Sequence, residues 1–449
     1  MLRQTSRTTM AMLLTIAATA FAVACGVASA TRTRTEVLRA ASARPAPVLG
    51  LDLIYYSSPP FVLIGAFNDP EQGALAGEAI REKAGVVAVR FSSHGLYSHI
   101  GPMRTEAIRR EVKLPNRFPW FPVERLVSFI REQDLRIVLG VNPEDGPAAA
   151  VDLVEHFRRG GAADRIIAVE LGNEPHLSLR PWQPEEYADA AAAIIRALEP
   201  TGVNFALPLT LGLETKTPTG ISDDEYTRRQ LAALDRQIAL ADRRDIFGVI
   251  HLYARGVDPG TIDALNRLVR PFAPHMRYLV TEYNIRSTLR ENQHLTTPYG
   301  LEFIKRTSRL VAHPDVAGLF AHGIPYHSVL YWSGRNVVTV TRLRDERLES
   351  DDLTPGWHAT PAGRMLALFA EKLWRGDLLA FNDEGNVQTW ITRSPEGELR
   401  AGLLNCTDGD VRREVALGGD VVSVSAGPRS ATVSTAGGEL ARVELNREW

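Results

Sequence analysis

The feature that most constrains this chain is an alternation. From about Pro47 onward, short runs rich in β-branched residues alternate with longer amphipathic stretches, over and over. "VVAVRFSS" leads to "PVERLVSFIREQD", "RIVLGVN" to "GPAAAVDLVEHFRRGG", and "RIIAVELGNEP" to "PEEYADAAAAIIRALEP". "VNFALPLT", "IFGVIHLYA", "RYLVTEYNI" and "VAGLFAHGI" each introduce a further helical pattern, ending with "TPAGRMLALFAEKLW". Continuous apolar runs are strands covered on both faces, and parallel neighbours need a crossover helix between them. The pattern predicts an α/β fold, a (β/α)8 TIM barrel over residues 47–375. A doubly wound open sheet is the second possibility, but no glycine-rich phosphate turn follows the first strand. That strand is either "VLGLDLIYY" or "FVLIGAF".

After Arg375 the period changes to two, and Gly, Asp, Asn and Pro punctuate the chain at hairpin spacing. This predicts a C-terminal antiparallel β-sandwich over residues 376–449, to which residues 47–56 could add a strand. Ahead of the barrel, "MLRQTSRTTM" carries Arg3 and Arg7, an apolar stretch follows, and "ASA" ends at Ala30. That is the layout of a signal peptide over residues 1–30, implying a secreted or periplasmic protein. "AVAC" resembles a lipoprotein box, so a membrane enters only through a lipid on Cys25. Residues 31–46 are polar, Arg-rich and unpatterned, and read as a linker.

Cys25 and Cys406 are the only cysteines, so no disulfide framework stabilises the chain. A hydrophobic content of 45% supplies the core instead, and a monomer is expected. The net charge of −2 excludes the basic excess of a nucleic-acid binder. No "HExxH" or zinc-type Cys/His spacing is present, so no metal or other cofactor is expected.

"AVELGNEPHL" asks why Glu174 follows an apolar strand, where a carboxylate is costly to bury. Either it shapes a turn, or it stands at the barrel's mouth and does acid–base work. "YLVTEYN" repeats the form three strands later, with Glu282 at the exit. Barrel sites are built at the C-terminal ends of the strands, so the two glutamates can face each other there. A pair of carboxylates suits glycosidic cleavage: one protonates the leaving oxygen, the other attacks the anomeric carbon or activates water. In that arrangement the acid would be held protonated by apolar surroundings and by its ionised partner. No "GxSxG" elbow supports an esterase.

"ELGNEP" with a later "TEYN" resembles the retaining glycoside hydrolases of clan A, closest to family 79, the heparanase and β-glucuronidase group. The resemblance implies Glu174 as acid/base and Glu282 as nucleophile, with Asn173 on the sugar 2-hydroxyl. "IHLY" matches the clan's His-x-Tyr, so Tyr253 would donate to the nucleophile and His251 would line the site. "VRFSS" places Arg90 against the nucleophile, although Phe91-Ser92 stand where the family has a Gly-Gly pair. Asn142, closing "RIVLGVN", also matches a strand of the family. Tyr326 and Tyr331 in "IPYHSVLYWSG" are either a sugar platform or core, His251 and Arg90 either site or structure. The implied activity is a retaining β-glycosidase acting on a glycoside, oligosaccharide or polysaccharide, a β-glucuronidase or heparanase-like enzyme. The alternatives are a β-xylosidase- or β-glucosidase-like specificity, or a glycan-binding barrel without turnover. His176, where relatives often carry an acid, motivates the last of these.

Overall fold

The computed structural model describes residues 34–35, 43–53, 70–91, 123–177, 181–211, 218–285, 296–322, 329–333, 356–417 and 420–445. The expected signal peptide, Cys25 and "FVLIGAF" lie outside them. Eight parallel strands close into a barrel: β1 (Val48–Asp52), β2 (Ala88–Phe91), β3 (Arg136–Val141), β4 (Ile166–Leu171), β5 (Phe205–Pro208), β6 (Ile246–Tyr253), β7 (Tyr278–Asn284) and β8 (Val316–His322), with β8 pairing back onto β1. The helices follow in turn: α1 (Pro70–Glu78), α2 (Val123–Glu132), α3 (Gly146–Arg159), α4 (Pro184–Leu198), α5 (Asp223–Ile238), α6 (Pro259–Val269), α7 (Thr297–Ala312) and α8 (Pro361–Lys372).

The helices begin where the sequence supplies acceptors for their first N–H groups. Ser222, Thr296 and Thr360 accept from the backbone at the starts of α5, α7 and α8, and Pro occupies the first turn of α4 and α6–α8. Inside the barrel, Ala88, Val138, Ile167, Ala206, Val249, Leu279 and Phe320 form a small apolar cluster. Gly50 on β1 is required there: a Cβ would lie 2.5 Å from the Phe320 ring. The barrel is therefore filled, and its only place for chemistry is a mouth.

Val48–Asp52 selects between the two first-strand alternatives and corrects one expectation. It is the first barrel strand, bonded to β8 and β2, and does not join the accessory sheet. The strand borrowed from the N-terminal side is Arg44–Pro45, within the expected linker, which pairs with β11 (Asp377–Asp383). Arg34–Thr35, also in that linker, pairs in parallel with β14 (Val411–Leu417). Two residues are too few to show a period, so neither strand could be seen in the sequence. Between β8 and α8 sits an antiparallel pair, β9 (Leu330–Ser333) and β10 (Gly356–Ala359).

The C-terminal region forms two antiparallel layers. β11, β12 (Val387–Arg393), β13 (Leu399–Asn405), β16 (Ser430–Thr435) and β17 (Gly438–Glu444) make one, and β14 with β15 (Asp420–Ala426) the other. Ile391, Ala401 and Leu403 of the first meet Val415, Val422 and Val424 of the second. This layer packs on the barrel through aromatic rings: Phe369 stacks on Trp374 at 5.0 Å, and Trp390 of β12 lies 5.2 Å from Phe369. Cys406 is half-buried and unbridged. Among the described residues no helix is long and apolar enough to cross a membrane.

Candidate active site

The local fold of "ELGNEP" explains the placement of Glu174. Gly172 adopts φ +98°, and a Cβ there would lie 2.9 Å from Pro143, so the strand can leave the barrel only through glycine. Glu174 itself sits at φ +42°, in the left-handed region that a side chain occupies at a cost of about 1–2 kcal/mol. The turn is fastened on both sides. The Tyr187 hydroxyl donates to the Leu171 carbonyl (2.6 Å), and Leu177 N–H donates to the Glu174 carbonyl (2.8 Å). Strain held by surrounding bonds is common at functional positions.

At the end of β7, Glu282 is buried. Arg90 Nη1 donates to its Oε1 at 2.5 Å, and the Tyr253 hydroxyl donates to its Oε2. His322 Nδ1 lies 3.4 Å and His251 Nδ1 3.6 Å from the same carboxylate. A register shift between Ile250 and His251 in the β6–β7 pairing turns His251 toward the mouth. There its Nδ1 is 2.9 Å from Glu174 Oε1. One oxygen of Glu174, one of Glu282 and a nitrogen of His251 all fall within 4.8 Å of one another. The nearest oxygens of the two carboxylates thus approach each other across the mouth, the kind of approach made by nucleophilic pairs, whose carboxyl groups stand ~5–5.5 Å apart.

Arg90 is wholly buried and organises this end of the barrel. Its Nε and Nη2 grip both oxygens of Glu170 at 2.8 and 2.5 Å. Nη1 also reaches Asp52 at 3.1 Å, and Nη2 donates to Asn173 Oδ1. A lone buried guanidinium would cost several kcal/mol in lost hydration; three carboxylates and an amide offset that here. Arg90 is therefore a buried ion-pair partner that also touches Glu282 and Asn173 directly. Asp52 is in turn held by His322 Nδ1 at 3.0 Å.

The charges set the protonation pattern. Burial pushes Glu282 up, but His251, Arg90 and His322 together with the Tyr253 hydroxyl hold it well below the usual carboxylate range. Burial opposes the charge on Arg90, yet Glu170, Asp52 and Glu282 raise it well above its ordinary value. Burial lifts Glu170 against the pull of Arg90. The Tyr253 hydroxyl, buried beside Glu282, is raised far out of the titrating range and stays a donor. Glu174 departs from expectation. Burial and Glu282 do push it up, but its hydrogen bond and attraction to His251 bring it below the usual range. His251, penalised by burial, is raised by Glu282 and Glu174. Glu174 and His251 Nδ1 thus form one hydrogen-bonded, coupled pair that titrates together and shares its proton.

Two trios, Asp52–Glu282–His322 and Glu174–His251–Glu282, are close enough to ligate a cation. Neither fits one. The Arg90 guanidinium already bonds both carboxylates of the first, and in the second His251 Nδ1 is already hydrogen-bonded to Glu174.

Six residues singled out in the sequence therefore meet: Glu174, Glu282, Asn173, Arg90, His251 and Tyr253. Asn142 ends β3 as a turn-former; its Oδ1 accepts from Glu144 N–H at 3.1 Å. Tyr326 lies outside the described residues, and of Tyr331 only the backbone is described, on β9 opposite His358. Sequence reading missed Asp52, Glu170 and His322. The signal was available, since each is an ionisable residue in or ending an apolar run, as Glu174 is.

No family model matches the chain, and no curated protein matches it. Solved structures match its fold. The catalytic domain of the GH30 xylanase C from Talaromyces cellulolyticus is similar with a TM-score of 0.54 at 12% identity, over 89% of this chain and 99% of that one. A GH39 β-xylosidase from Caulobacter crescentus gives 0.53 at 13%, over 86% and 83%. A 4-O-α-L-rhamnosyl-β-D-glucuronidase from Fusarium oxysporum gives 0.53 at 11%, over 90% and 97%. The structural neighbours are thus glycoside hydrolases, and the shared property at these identities is the barrel with its β-sandwich.

Proposed function

We propose that the chain is a retaining β-glycosidase working by double displacement. The observation that carries this reading is the approach of Glu174 and Glu282 oxygens to within 4.8 Å over one mouth, with Glu282 held well below the usual carboxylate range and Glu174 paired with His251. In the first step a Glu282 oxygen bonds to the anomeric carbon as the bond to the leaving oxygen breaks. Glu174 delivers a proton to that oxygen, drawn from the pair it forms with His251. The ester so formed abolishes the Glu282 charge, which is a principal reason that His251 holds a proton. In the second step water attacks the anomeric carbon, Glu174 takes its proton, and the bond to Glu282 breaks. Asn173, its amide plane set by Arg90, donates to the sugar 2-hydroxyl.

For the sugar, the family 79 resemblance of "ELGNEP" and "TEYN" supports a β-glucuronide, acted on outside the cytoplasm after export. A β-xylosidase- or β-glucosidase-like specificity is the second reading, favoured by a similarity to the family 39 β-xylosidase equal to that to the glucuronidase. A panel of aryl β-glycosides decides between them. A mechanism-based cyclitol epoxide or aziridine of the preferred configuration then labels Glu282, read by peptide mass spectrometry. Labelling elsewhere, or none with any configuration, overturns the assignment and favours a glycan-binding barrel.

A further inference from the structure

Beyond Glu174, on the side of β5 and β6, the mouth continues into a cavity of about 130 Å³. Glu174, His251 and Tyr253 of the mouth line it, together with His176, Asp223 and Leu209. His176 and Asp223 have no part in the chemistry above. His176 follows the strained turn, and its ring lies 5.7 Å from that of Tyr226 on α5. Its Nδ1 is buried without a hydrogen-bond partner among the described residues, and so is the Tyr226 hydroxyl. Asp223, the first residue of α5, is buried as well. The wall is braced: the Thr210 hydroxyl after β5 donates to the Asp223 carbonyl at 2.5 Å.

A polar atom buried without a partner is costly, and native chains seldom keep one for no purpose. Burial outweighs the pull of Glu174 and lowers the His176 imidazole to about 4, so it is neutral across the ordinary working range. A neutral ring nitrogen can either donate to or accept from a hydroxyl. Glu174 and Asp223 place two carboxylates along the same cavity, which disfavours an anion there. Leu209 and Val249 add apolar surface. The position is decisive for what enters. The sugar being transferred must lie over Glu282, and Glu174 must reach its glycosidic oxygen. Whatever departs on that oxygen lies past Glu174.

Resting on the glycosidase reading, we propose that this cavity is the leaving-group subsite, and that His176 and Asp223 make it select an uncharged hydroxylated leaving group, a neutral sugar or alcohol, over an anionic one.

The test uses the whole protein and one glycone, the best of the aryl panel, on four leaving groups. Three are phenols of similar acidity bearing para-hydroxymethyl, para-methyl or para-carboxylate; the fourth is fluoride, too small to reach the cavity. The wild type should favour the hydroxymethyl compound over the carboxylate by about tenfold or more in kcat/KM, the worth of a good polar contact. His176→Phe should lower kcat/KM on the hydroxymethyl compound about tenfold more than on the fluoride, and His176→Asn, which can still hydrogen-bond, should recover part of that difference. Asp223→Asn should narrow the discrimination against the carboxylate. Equal rates for the three phenols in the wild type overturn the subsite. So do equal losses on fluoride and hydroxymethyl substrates in both His176 variants, which would make His176 a support for Glu174. If the wild type cleaves none of the four while remaining folded, the glycosidase reading itself fails, a separately recognisable result.

Discussion

The two carboxylates stand a few ångströms apart in opposite surroundings. Glu282 is enclosed, its side chain 8% exposed and held by Arg90, Tyr253 and two histidines. Glu174 is one-third exposed, strained in its backbone, and shares one histidine. The enclosed group is fixed in one protonation state, as a nucleophile must be. The open one belongs to a pair that can pass a proton in either direction, as an acid that later becomes a base must. The expectation that the acid would be a carboxyl held protonated by apolar walls is replaced by a shared proton, because a histidine occupies the wall.

Removing the open group sharpens this contrast most. Glu174→Gln should lower kcat by about 10²–10⁴-fold on alkyl or sugar leaving groups. On activated aryl glycosides it should slow the first step far less. Steady-state and pre-steady-state rates on the two substrate classes check this, and equal losses on both would remove the acid/base role.

The enclosed group can be loosened without touching it. Glu170 holds two of the three Arg90 nitrogens, so Glu170→Gln frees the guanidinium that bonds Glu282. A loss in kcat of about 10²-fold is expected, as for a reacting group displaced by an ångström. The acid limb of kcat/KM should also move to lower pH, since Arg90 then has one anion fewer to balance. An unmoved limb would make Glu170 merely structural.

The smallest effect is a displacement along the pH axis. His251 is raised above the ordinary imidazole value of 6.5, so the alkaline limb of kcat/KM should lie above that pH. In His251→Asn the proton must sit on Glu174 itself, and the limb should fall by about one pH unit or more. The same shifts bear on the fold. The depressed Glu282 contributes stability above the ordinary carboxylate range that is lost as pH falls through its folded value. The raised His251 contributes below the ordinary imidazole range, and that is lost as pH rises through its folded value. Thermal unfolding across pH should therefore peak between the two ranges, and flatten on the alkaline side in His251→Asn.

Much of the barrel was legible because each strand and helix carries its own period, and the turn residues of "ELGNEP" announce a strand exit. The order of the two glutamates followed from that. What was missed was set by distant partners. Arg44–Pro45 is a strand only because β11 offers an edge. Asp52 and His322 are remote in sequence and become neighbours only when β8 closes onto β1. Glu170 lies inside the same stretch as Glu174, yet its purpose depends on Arg90, two strands away in the barrel. Asn142 matched a family position, while the local turn took its oxygen.

A nucleophilic Glu282 requires a span from Glu174 too short for a water between carboxylate and sugar. The stereochemistry of the first-formed product reports that span directly. Proton NMR of the anomeric signals during early hydrolysis of the preferred aryl β-glycoside should show the β-anomer first, with the α-anomer appearing only by slow mutarotation. An α-anomer formed first would mean that water attacked directly across a wider gap, and would contradict the assignment of Glu282 as nucleophile.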